Sequence, residues 1–152
     1  MPSERNLRIL AALLAIAGIG VATYITIAES GGGAPKCVVG GHGCQTVAES
    51  KYAELAGINV AVIGIFGYAL LLAAAVLPGD AARFGGLLTA LVGFGFSAYL
   101  TYLELFVIDA ICQWCVVSAV LMTISLAIAA ARAFAYTGRE LGVPQIQSSH
   151  GR

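Results

Sequence analysis

Four cysteines carry the chemistry open to this sequence. Cys112 and Cys115 bracket Gln113 and Trp114 in a CxxC, and Cys37 and Cys44 lie in an earlier glycine-rich stretch. Two sulfurs three residues apart share one face of a helix and can close the small ring of a redox-active disulfide. If the CxxC opens a helix, unpaired N–H groups and the positive end of the macrodipole favour a thiolate, and Asp109 stands where an N-cap would. The spacing leaves open which thiol ionises first. Two other uses of four cysteines compete: a pair of static disulfides stapling the chain, or a four-thiolate zinc site. Structural zinc arms use shorter spacings than the six residues between Cys37 and Cys44. No metal is therefore expected, and His42, among loop glycines, reads as solvated.

The elements that position these cysteines are apolar. Of 152 residues 59% are hydrophobic and 11% charged, with a mean hydropathy of +0.90, more than a soluble core of this size requires. Eight basic residues balance eight acidic ones. That leaves no positive field for nucleic acid, and the hydrophobicity excludes a disordered chain. Charge-free stretches run Ile9–Ala28, Leu55–Leu77, Phe84–Leu103 and Ala110–Ala131. Each approaches or exceeds the roughly 20 residues that cross about 30 Å of hydrocarbon.

The expected fold is an all-α integral membrane protein, a bundle of four transmembrane helices at about 9–28, 58–77, 84–106 and 111–132. Residues 1–134 form this domain, and 135–152 a cytoplasmic tail interrupted by Gly138, Gly142 and Pro144. The first span is too long for the apolar region of a secretory signal. Arg5, Arg8, Arg83, Arg132, Arg139 and Arg152 would share one side, against Lys36 and Lys51 on the other. The positive-inside bias then puts both termini in the cytoplasm and the cysteines outside, where thiols meet an oxidising compartment. The outer loop 29–57 is longer than a connection needs. Its first half, with Gly31, Gly32, Gly33, Gly40, Gly41 and Gly43, permits mobility, whereas Gln45–Ala56 lacks Gly and Pro and predicts a short half-helix on the bundle top.

Taken together these features resemble the vitamin K epoxide reductase family. The likeness rests on four spans, a long first outer loop with two cysteines, Cys44-x-x-Val47-x-x-Ser50, the segment Gly64–Tyr68 and Cys112-x-x-Cys115. It implies that Cys37 and Cys44 are a shuttle pair and that Cys112 and Cys115 are the catalytic pair. Cys44 would exchange with Cys112, Cys37 would meet an external thiol partner, and Cys115 would face a quinone, ubiquinone or menaquinone. Vertebrate members hold the quinone with an Asn and a Tyr where this chain has Val60 and Ala119. Asn59, one residue away, and Ser50 are the candidate quinone contacts, with Cys115. Reduction of vitamin K epoxide is the alternative reaction, and a non-enzymatic membrane scaffold the alternative class.

The expected function is thus a quinone-dependent thiol oxidoreductase of a bacterial inner membrane. It would make disulfides outside the cytoplasm, with electrons drawn from a separate DsbA-like thioredoxin-fold protein because no such domain is fused. Glu104, a carboxylate in an apolar stretch, reads as a proton relay or an interfacial residue. Tyr99, Tyr102 and Trp114 read as interface aromatics.

Overall fold

A computed structural model of the chain describes residues 3–39 and 41–140. Gly40, Gly142, Pro144 and Arg152 lie outside the described residues. Among the described residues the elements run α1 (Glu4–Ser30), α2 (Gly43–Ala48), β1 (Glu54–Leu55), β2 (Ile58–Asn59), α3 (Val60–Val76), α4 (Asp80–Leu103), a π-helical turn (Glu104–Ile108) and α5 (Gln113–Glu140). α1 begins where the Ser3 side chain accepts the Asn6 N–H at 3.3 Å. α3 begins where the Asn59 side chain accepts the Ala61 N–H at 2.7 Å.

α1 packs on α3 and α5, and α4 packs on the same two, so the four long helices close a ring. Small residues let them approach. Gly18 lies so close to the Tyr68 ring that a Cβ there would collide with it, and a Cβ on Gly86 would press on the Ala74 methyl at 2.9 Å. Ala15, Ala22 and Ala90 are buried beside them, the composition expected where contact rather than water drives helices together. Tyr68 fills the centre, and its hydroxyl donates to the Ser118 carbonyl at 2.9 Å. Large apolar side chains such as Leu13, Leu88 and Val92 point outward, as suits helices facing lipid.

Among the described residues three helical segments are long and apolar enough to cross a membrane: Glu4–Ser30, Asp80–Ile108 and Gln113–Ala135. α3, apolar but only 17 residues long, is the fourth member of the ring and falls short of that length. At one end of the bundle Glu4 meets Arg83 at 3.6 Å and Arg132 at 3.5 Å. Arg8 donates to the carbonyls of Ala75 and Val76, and Arg132 lies 3.4 Å from the carbonyl of Ala74, so basic groups of α1 and α5 take up the end of α3. The cysteines lie at the opposite end.

Three local expectations are corrected. The helix expected over Gln45–Ala56 is shorter and earlier, Gly43–Ala48. Beyond it Ser50 turns its hydroxyl back onto the Val47 carbonyl at 2.7 Å, and the chain enters an antiparallel hairpin pairing Leu55 with Ile58. Its two-residue turn, Ala56 and Gly57, has φ of 54° and 80°, the left-handed pair that a tight hairpin requires. Asp109 does not cap α5: it sits at φ 55° and closes the π-helical turn, and α5 starts four residues later. The last helix continues through Gly138 to Glu140, since one glycine costs a helix only about 1 kcal/mol.

Candidate functional site

The Cys37 and Cys44 sulfurs are bonded, with Cα atoms 5.7 Å apart, while Cys112 and Cys115 are free thiols. Cys44 and Cys112 are both fully buried, at 1% and 2% exposure. What brings the two pairs to one place is α2, which packs on the π-helical turn and on the start of α5. The contact is possible because residue 43 is glycine: a Cβ there would run into the backbone carbonyl of Ile111, the residue before Cys112.

The segment leading into α5 is shaped by Glu104. α4 widens in its last turn, and the Ala110 N–H returns to the Glu104 carbonyl at 3.0 Å. The Glu104 side chain, 4% exposed, accepts the Cys112 N–H at 3.0 Å and also hydrogen-bonds the Cys115 thiol. A carboxylate thus satisfies an amide at the mouth of α5, the task expected of Asp109. The Cys112 thiol, ahead of α5, is held below the ordinary cysteine range, chiefly by hydrogen bonding with the Cys115 thiol. The N–H groups of Cys115 and Trp114 act in the same direction; burial and the Glu104 charge oppose it. Of the two thiols, Cys112 is therefore the one prepared to attack or leave as a thiolate.

The residues between the cysteines face the loop. Gln113 Oε1 accepts the N–H groups of Val38 and Val39, each at 3.0 Å. Trp114 Nε1 donates to the Lys36 carbonyl at 3.0 Å, and its ring lies 4.9 Å from that of Tyr24. Trp114, expected as an interface aromatic, is thus a loop contact. Of the candidate quinone contacts, Cys115 is half-buried, just before the outward-facing apolar side chains of Val116 and Val117. The Asn59 amide caps α3 and donates to the Glu29 carboxylate, and the Ser50 hydroxyl is turned onto Val47.

The structure therefore gathers all four cysteines and Glu104 at one end of the bundle, with the hydrogen-bonding groups of Asn59 and Ser50 engaged locally. Sequence reasoning missed Gln113 altogether, since a glutamine inside a CxxC carries no signal of its own. Glu104 did carry one, a carboxylate in apolar chain, but not its partner. The model of the vitamin K epoxide reductase family matches residues 9–130, from early α1 well into α5. The chain belongs to the vitamin K epoxide reductase family. As a member of that family it is a membrane redox protein, an oxidoreductase.

Proposed function

We propose that the protein makes disulfides outside the cytoplasm, passing electrons from a reduced thioredoxin-fold partner through Cys37 and Cys44 to Cys112 and Cys115 and then to a membrane quinone. In this reading α3 is the fourth crossing, the arginine-rich end of the bundle is cytoplasmic, and the membrane is the inner membrane of a bacterium. The observation that carries it is the packing of an oxidised cysteine pair against a reduced one, with Cys44 and Cys112 both buried where Gly43 meets Ile111.

The exchange balances as follows. The partner's dithiol reduces the Cys37–Cys44 bridge and leaves as a disulfide. The Cys44 thiolate attacks Cys112 of a Cys112–Cys115 disulfide, a new S–S bond forms, and Cys115 leaves as the thiolate. Cys37 then attacks Cys44, restoring the loop bridge and releasing Cys112. A membrane quinone would then take two electrons and two protons from the Cys112 and Cys115 thiols and leave as hydroquinone, as the Cys112–Cys115 disulfide re-forms. The lowered pKa of Cys112 makes it the better leaving group in the second exchange. The Glu104 carboxyl, hydrogen-bonded to the Cys115 thiol, is placed to hold the proton that this sulfur takes up and gives up. A relay onto quinone of this kind is how a bacterial periplasm is kept oxidising.

The test is quinone reduction by the detergent-purified protein supplied with a reduced DsbA-like protein. Stoichiometric oxidation of that protein with loss of quinone is expected, and abolished by Cys112→Ser. Quinone that stays oxidised while vitamin K epoxide is reduced would replace this reading with the epoxide reaction.

A further inference from the structure

The backbone on both sides of Cys37 is gripped at successive atoms. Lys36 is held twice, its N–H donating to the Tyr24 hydroxyl at 3.3 Å and its carbonyl accepting from Trp114 Nε1 at 3.0 Å. Val38 and Val39 both donate to one atom, Gln113 Oε1, at 3.0 Å. Tyr24 in turn packs on Trp114, with ring planes tilted by 53°. Apolar burial does not hold this stretch, for the Val38 and Val39 side chains are 74% and 75% exposed. The grip is made of hydrogen bonds to main-chain atoms, so it reads the course of the loop and not its side chains. It also comes from the two residues that separate the catalytic cysteines.

We propose that Gln113 and Trp114 form a docking clamp for the cysteine loop, positioning residues that hold 36–39 against the mouth of α5 so that Cys44 stays within reach of Cys112. The inference rests on the loop-to-core transfer proposed above. Two residues of a CxxC usually tune its thiols through the backbone; here their side chains also seat the electron donor. Because both acceptor and donor atoms lie between Cys112 and Cys115, loop and catalytic pair are aligned by one short piece of chain, and small movements of the start of α5 carry the docked loop with them. The step served is thiol–disulfide exchange: Cys44 sulfur bonds to Cys112 sulfur as the Cys112 leaving group departs with the electron pair.

The clamp is tested in full-length protein carrying Cys37→Ser and Cys115→Ser, in which Cys44 and Cys112 are the remaining thiols. One thiol is charged as its mixed disulfide with thionitrobenzoate. Closure of the Cys44–Cys112 bridge then expels a coloured thiolate whose appearance gives the rate. Adding Gln113→Leu, which removes the shared acceptor, should slow closure about tenfold, the worth of one to two hydrogen bonds. Gln113→Glu, which keeps an acceptor, should close near the parent rate, and Trp114→Phe, which keeps a ring but loses the donor, should be slow. Trp114 is the single tryptophan, so in the Gln113→Leu protein its fluorescence should also become more open to a soluble quencher. Closure in Gln113→Leu at the parent rate, with Trp114 equally shielded, overturns the clamp. A parent protein that forms no Cys44–Cys112 bridge overturns instead the proposed order of transfer, and the quenching comparison still decides whether Gln113 docks the loop.

Discussion

Gly43→Ala sets two effects of opposite sign against each other. Residue 43 opens α2 and has no positive φ, so alanine suits its backbone, and on helix preference alone the change should stabilise by up to about 1 kcal/mol. Against that stands the Ile111 carbonyl, into which the new methyl would run. That carbonyl belongs to main chain fixed one residue later by the Cys112 N–H to Glu104 bond of 3.0 Å, so it cannot swing aside as a side chain would. α2 must lift, carrying Cys44 with it. A displacement on the order of 1 Å between reacting atoms can cost about 10²-fold in rate. We expect partner-driven quinone reduction to fall by roughly ten- to a hundred-fold and the thermal midpoint in detergent to drop. Gly20→Ala is the control: it lies in α1 with nothing within 4 Å of the added Cβ, and should gain stability with turnover unchanged. A Gly43→Ala protein with native turnover and a raised midpoint would refute the close approach of α2 to the chain before Cys112.

Three further outcomes are expected. The alkylation rate of reduced Cys112 should titrate below the ordinary thiol range; Cys115→Ala, which removes the main stabilising hydrogen bond, should move that inflection up, and Glu104→Gln, which removes an opposing charge, should move it down. Shifts of the same sign in both variants would contradict this balance. Tyr68→Phe should cost about 0.5–1.5 kcal/mol in detergent unfolding through loss of the hydrogen bond to Ser118 at 2.9 Å; a neutral result would show the hydroxyl to be unpaired. A membrane-impermeant thiol reagent should label reduced cysteines in intact cells, and labelling confined to lysed cells would invert the proposed orientation.

The gathering of the two cysteine pairs at one end of the bundle was legible in their placement, a CxxC at a helix mouth and a second pair in a glycine-rich outer loop. The long helices followed from stretches without charge. Features that depend on a distant partner were not legible. Asp109 has the type and place of an N-cap, but the cap comes from Glu104, eight residues before the amide it accepts and reachable only once a π-helical turn has formed. The interval Gln45–Ala56 lacks the usual helix breakers, yet Ser50 turns onto Val47 and Ala56 takes a left-handed conformation that its side chain disfavours. Gln113 acquires its role only when Val38 and Val39 arrive beside it.

The short helix α3 has a consequence for the surrounding lipid. Seventeen residues rise about 26 Å, less than the roughly 30 Å of an average hydrocarbon layer. The carbonyls at its end are met by guanidinium groups of Arg8 and Arg132 on neighbouring helices. As the fourth crossing proposed above, α3 would create hydrophobic mismatch on one side of the bundle. In that arrangement acyl chains beside α3 would shorten or tilt, and the arginine stems would snorkel toward the headgroups, at a cost of fractions of a kcal/mol per Å. In bilayers of graded acyl length the protein would then partition toward the thinner ones, and the thinned sector would lie along the α3 flank.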